Sequence, residues 1–123
     1  MKYKVILKTE DKTLAVLMLD SIKAPLCISK LIGNIPNICR IYPIGEGLIE
    51  LPIGASSILE KPTTHVDPGD VFYSPSTKSI YIALKPQRLT RRVTIIGKLA
   101  HDKYLAILKN LREGLRVSIK VEE

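Results

Sequence analysis

The sequence predicts a mainly β protein, a closed eight-stranded β-barrel with two capping α-helices, on three observations. The first is the stretch Val66 to Leu84, which reads as two strands around a polar turn. Val71-Phe72-Tyr73 is β-branched and aromatic, Ser74-Pro75-Ser76-Thr77 is turn chemistry, and Ser79 to Ala83 resumes the strand pattern. The second is Leu115 to Val121, where Leu115, Val117, Ile119 and Val121 alternate with Arg116, Ser118 and Lys120. The third is the order of elements: about eight strands, with helical patterns after the second and before the last. Closing such a sheet removes its edges and leaves two open ends for the helices.

Taken in order, Lys2 to Lys8 sets Tyr3, Val5 and Leu7 on one face and lysines on the other, a half-buried strand. Thr9 to Lys12 is a turn, and Thr13 to Leu19 is a strand with much of both faces covered. Pro25 suits the first turn of a helix, since its missing N–H is not needed there, and Ile28, Leu31, Ile32 and Ile35 continue at helical spacing. Gly33, Asn34 and Pro36 weaken and stop that helix. Ile38 to Tyr42 and Leu48 to Ile53 are strands about a turn at Pro43 to Gly47. Gly54 to Thr64 is expected as a loop.

Asp67-Pro68-Gly69-Asp70 turns the chain into the central hairpin, with Gly69 free to take a positive φ and Asp70 bonding backbone N–H groups. Lys85 to Arg91 reads as an irregular basic connection and Arg92 to Leu99 as a strand. Asp102 is placed as the N-cap of a helix carrying Tyr104, Leu105, Leu108 and Leu111, with Gly114 as its terminator.

The 123 residues make one domain, 1–123, large enough for a core of its own. The longest apolar runs fall short of a membrane span, and lysines interrupt the N-terminus too early for a signal peptide, so a cytoplasmic location is expected. The single glutamine beside abundant isoleucine points to a thermophile. Cys27 and Cys39 lack metal-site spacing and read as two buried thiols.

The net charge of +7 is uneven. Basic and acidic side chains cancel from Met1 to Thr77, whereas Lys78 to Lys120 holds eleven basic residues against Asp102 and Glu113. That asymmetry raises nucleic acid as a partner, through Lys85, Arg88, Arg91 and Arg92, although no aromatic residues interleave with them for base stacking.

The element order resembles that of cyclophilins. Cys39-Arg40-Ile41-Tyr42-Pro43-Ile44 keeps an R-I-x-P core similar to the segment that carries their catalytic arginine. A closer resemblance is to the compact cyclophilin-like proteins of bacteria and archaea, a family of unknown function. Val66, Gly69, Asp70, Val71, Tyr73 and Pro75 fit their VxxGDVxYxP motif, and Val93 to Leu99 (VTIIGKL) fits a second one. The resemblance implies a cyclophilin-like barrel along nearly the whole chain. It departs from true cyclophilins where their peptide site carries FMxQGG, since Glu46 to Leu51 reads EGLIEL here, and tryptophan is absent.

Prolyl isomerisation needs a donor to the prolyl nitrogen, which weakens an amide barrier of about 18–20 kcal/mol, together with an apolar pocket. Arg40 is the candidate catalytic donor, and Arg40, Tyr42, Ile49, Leu51, Tyr73 and Tyr81 are the candidate ligand-binding set. The competing reading makes Arg40 a structural residue paired with Glu46, Glu50 or Asp70. His65 and His101 stand in separate loops, no hydrolase or phosphate-loop motif is present, and neither a metal nor a cofactor is expected. The first expectation is therefore a barrel that binds a peptide or small molecule, with isomerase activity weak or absent. An active isomerase and a basic nucleic-acid-associated protein are the alternatives.

Overall fold

The computed structural model describes residues 1–10 and 12–122. Strands β1 (Lys2–Thr9) and β2 (Lys12–Asp20) lead to α1 (Pro25–Ile32), followed by β3 (Asn37–Ile44), β4 (Leu48–Leu51), β5 (Thr63–Val66), β6 (Asp70–Ser74), β7 (Ser79–Ala83) and β8 (Gln87–Leu99). Helix α2 (Lys103–Lys109) and β9 (Leu115–Glu122) complete the chain. The strands run in the order β2-β1-β9-β3-β4-β7-β6-β8, and β2 pairs back onto β8, so eight antiparallel strands close into a barrel.

The seam that closes the barrel depends on Gly97. It lies opposite Leu19, and a Cβ there would stand 2.1 Å from the Met18 carbonyl oxygen. The glycine of the VTIIGKL segment is thus where two backbones meet too closely for any side chain.

Alternation fills the interior. Val5 and Leu7, Leu17 and Leu19, Ile49 and Leu51, Val71 and Tyr73, Ile80 and Ile82, and Val117 and Ile119 all belong to one buried cluster. Helix α1 adds Cys27, Ile28 and Leu31 to this core, and α2 adds Leu108. Both helices pack against β2. Leu108 of α2 lines a cleft with Gly45 of the β3–β4 turn, whereas the Cys27 N–H of α1 donates to Glu60, in the segment between β4 and β5.

Five local readings are corrected. A ninth strand, β5, forms at Thr63–Val66, partly within the expected loop, because it pairs with β8 at Val93, Arg88 and Gln87. For the same reason Lys85–Arg91 is not an irregular connection: from Gln87 onward it is the first half of a thirteen-residue strand. Asp102 makes no side-chain cap; the Lys103 N–H donates instead to Nδ1 of His101 at 3.0 Å. Helix α2 ends at Asn110, and Gly114, at φ +77°, serves the turn into β9. Helix α1 is also shorter than its periodicity, stopping at Ile32. The Thr9–Lys12 turn includes Asp11, which lies outside the described residues.

Candidate functional site: two clefts on the outer barrel wall

The central hairpin closes with Ser74 opposite Ser79, which fixes Phe72 opposite Tyr81 and Tyr73 opposite Ile80. Side chains alternate across a sheet, so Tyr73 and Tyr81 point to opposite faces. Tyr73 is wholly buried inside the barrel. Its hydroxyl donates to the Ala55 carbonyl at 2.6 Å and accepts the Ser57 N–H at 3.0 Å. The Glu60 N–H donates to the buried Thr94 hydroxyl at 2.8 Å. Tyr73 and Thr94 thus pin the segment after β4 to the barrel. Burial pushes the Tyr73 phenol above its ordinary pKa.

Tyr81 faces outward and lies flat against Phe72, with ring centroids 5.2 Å apart and planes within 8°. Its hydroxyl donates to Oε2 of Glu50 at 3.1 Å and lies 2.9 Å from the Thr77 hydroxyl. Glu50 also accepts from the Ser79 hydroxyl at 2.9 Å. Burial raises the Tyr81 phenol, and the Glu50 carboxylate beside it adds to the effect. The register continues the row, with Tyr42 opposite Glu50 on β3 and Ile95 opposite Phe72 on β8.

Over this outer face folds the first half of β8 with β5. Val66, Phe72, Ala83 and Val93 form a second small core, flanked by Leu48, Tyr81, Leu89 and Ile95. Where that layer stops, a cleft of about 260 Å3 opens. Phe72, Tyr81 and Leu48 line it with Ile44, and Leu89, Thr90 and Arg91 of β8 stand opposite. Ser74, Ser76 and Thr77 add hydroxyls at the hairpin turn. Apolar residues with a few polar groups are the ordinary make-up of a small-ligand site.

The candidate set is therefore divided by the barrel wall. Ile49, Leu51 and Tyr73 are core residues. Tyr42 and Tyr81 share the outer row, while Arg40 opens into a different cleft with Lys8, Arg112 and Arg116. Arg40 does not pair with Glu46, Glu50 or Asp70. Its Nη1 donates to the Gly114 carbonyl at 2.8 Å. Asp70 fixes the turn before β6, accepting the Asp67 N–H at 2.9 Å, and Gly69 takes φ +88°.

Phe72, Leu48, Leu89 and Val93 were not among the sequence candidates. Knowing the four-residue hairpin loop would have revealed Phe72 through its register with Tyr81. Nothing local marks Leu89, which reaches the cleft only because β5 draws β8 across the sheet.

Lys85, Arg88, Arg91 and Arg92 are all exposed. His65 lies 3.3 Å from Asp67 at the surface. Cys27 and Cys39 are free thiols, the first buried and the second half-buried, and burial pushes both up to about 11. Among the described residues no three His, Cys, Asp or Glu side chains gather as a metal site, and no helix is long and apolar enough to cross a membrane.

The fold is an antiparallel eight-stranded barrel with two helices and an added outer strand. The chain is similar to a solved structure, that of the hypothetical protein AF2241 from Archaeoglobus fulgidus. The match has a TM-score of 0.70 at 17% identity, over 97% of this chain and 94% of that one. At that identity the likeness shows the fold alone. No family model matches the chain, and no curated protein matches it.

Proposed function

We propose that this chain is a cyclophilin-like barrel that binds a small apolar molecule or an extended apolar peptide in its outer cleft, with isomerase activity weak or absent. The observation that carries the reading is the stacked Phe72–Tyr81 pair at the edge of the second core, left open at the 260 Å3 cleft. Aromatic floors supply large contact area at little cost in side-chain freedom, and the Ser74, Ser76 and Thr77 hydroxyls offer orientation. Leu51 and Tyr73 are buried in the core away from this cleft, and Ile49, likewise buried, borders a different cleft with Leu84 and Leu108.

Arg40 bears on the isomerase alternative. Its guanidinium opens into the cleft with Arg112 and Arg116, lined also by Ile38, Leu115 and Val117, whereas the stacked aromatic pair that could hold a proline ring lines the other cleft. This separation favours binding over isomerisation.

The test is selection of short peptides and apolar fragments against the wild type and Tyr81→Ala. Ligands that bind the wild type and are lost in the variant support the reading. Ligands that bind both equally place the site elsewhere and sink it. Exchange spectroscopy on an Ala-Pro peptide tests the alternative in parallel, since acceleration abolished by Arg40→Ala would make the protein an isomerase.

A further inference from the structure

The outer wall formed by β1, β9 and β3 differs from the rest of the barrel. Arg40 and Arg116 are direct cross-strand partners, and both are exposed. Like charges placed directly opposite on neighbouring strands destabilise a sheet. Lys8 joins them through its register with Ser118, one alternation along β9 from Arg116. Arg112 arrives from the turn before β9, and that turn is held to β3 twice. The Gly114 N–H donates to the Ile41 carbonyl at 2.9 Å, and the Gly114 carbonyl accepts from Arg40.

These four cations line one cleft of about 440 Å3, which includes a single described carboxylate, Glu10, on its rim. Among the described residues none of the four is ion-paired: the ion pairs there are Lys4–Glu122 and His65–Asp67. One Arg40 donor is spent on Gly114, which fixes the fork while its remaining N–H groups stay available. An arginine pair held together against its own repulsion, with a third arginine and a lysine added, matches a ligand of concentrated negative charge and several acceptor oxygens.

We propose that Lys8, Arg40, Arg112 and Arg116 form a binding site for a phosphate-bearing ligand, distinct from the apolar cleft. The planar guanidinium forks suit phosphate oxygens bidentately. The site is open and shallow enough to take the phosphates of a nucleotide or of a single-stranded nucleic acid, and the shared chemistry is the phosphate group. It does not use Lys85, Arg88, Arg91 or Arg92.

Backbone and arginine side-chain NMR shifts at low salt test the site, with inorganic pyrophosphate, ATP and a single-stranded oligonucleotide as probes. The expected result is saturable shifts at Lys8, Arg40, Arg112 to Arg116 and Ser118, with affinity falling by roughly tenfold or more in Arg40→Ala and in Arg116→Ala, as loss of a charge-assisted hydrogen bond implies. Pyrophosphate or ATP saturating as well as the oligonucleotide identifies a small-molecule source. Affinity that climbs with oligonucleotide length and falls steeply with salt identifies the polymer. Absence of saturable shifts with all three probes overturns the proposal. So do shifts that survive both substitutions or that centre on Arg88 and Arg92. Both side chains are exposed, and thermal unfolding of each variant confirms that the barrel is intact. Because these probes do not address the apolar cleft, failure here leaves the peptide-binding reading standing.

Discussion

Two parts of the barrel wall have the same interior and opposite exteriors. Along β4, β7 and β6 the inward residues are Ile49, Leu51, Ile80, Ile82, Val71 and Tyr73. Along β1 and β9 they are Val5, Leu7, Val117 and Ile119, an equally apolar lining. Outside, the first wall carries Leu48, Tyr81, Phe72 and Ala83 and is partly roofed by β5 and β8. The second carries Lys8, Arg116 and, on neighbouring β3, Arg40, with no strand of the described residues over it. The inner half of each strand is constrained by closure, so the outer half is where one barrel can differ from another. Both proposed sites accordingly lie on outer faces.

The sharpest way to break this comparison is to break closure itself. Gly97→Ala puts a methyl group into the β2 backbone at Met18 and should destabilise the protein by about 3 kcal/mol or more, or prevent folding, as read by chemical denaturation. A nearly neutral result would mean the β2–β8 seam is looser than described. Next comes Tyr73→Phe, which keeps the packing but strips the hydroxyl from Ala55 and Ser57. Leaving those buried backbone groups unmatched should cost about 1–3 kcal/mol. Tyr81→Phe, on the outer face, should cost less than Tyr73→Phe because Tyr81 remains part-exposed.

Alkaline pH should weaken the fold as a whole. Cys27 and Cys39 ionise in the folded protein near 11, above their ordinary 9.0, and Tyr73 and Tyr81 are raised in the same direction. The folded state therefore holds these protons more tightly than the unfolded chain. The thiols' stabilisation is full below pH 9 and drains away as pH climbs from 9 towards 11, while that of the phenols begins to drain only above their ordinary 10.0. Denaturation midpoints measured across that range should fall steadily, and thiol alkylation of Cys27 at pH 8 should track unfolding. The smallest effect concerns the basic wall. Arg116→Ala should leave ligand-free stability unchanged or raise it by about 0.2–1 kcal/mol, because a like-charge pair is relieved. A clear loss of stability would show that Arg116 has a structural partner.

Most of the barrel was legible because its strands alternate. Leu115 to Val121 and Lys2 to Lys8 announce which residues face in, and the observed burial follows them. The central hairpin was equally readable, although its turn spans Pro75 to Lys78 rather than Ser74 to Thr77. What escaped were features set by distant pairing. Thr63–Val66 becomes a strand only because β8 is long enough to accept it, and neither segment is distinctive alone. The candidate residues lie on different faces for a related reason. Tyr73 and Tyr81 belong to one hairpin, but its register sends them through opposite faces, and one is a core staple. Ile49 and Leu51 flank outward Glu50, so alternation alone could have assigned them inward. The basic wall was hidden because Lys8, Arg40 and Arg116 are far apart in sequence and meet only through β1–β9–β3 pairing.

The most direct test of an outer rather than an inner site is methyl and amide NMR mapping of a peptide or fragment recovered by selection. Shifts confined to Leu48, Phe72, Tyr81 and Leu89 to Val93, and lost in Tyr81→Ala, are the expected result. Shifts centred on Ile49, Leu51 and Tyr73 while the Phe72–Tyr81 face stays silent would place the ligand inside the barrel and contradict it.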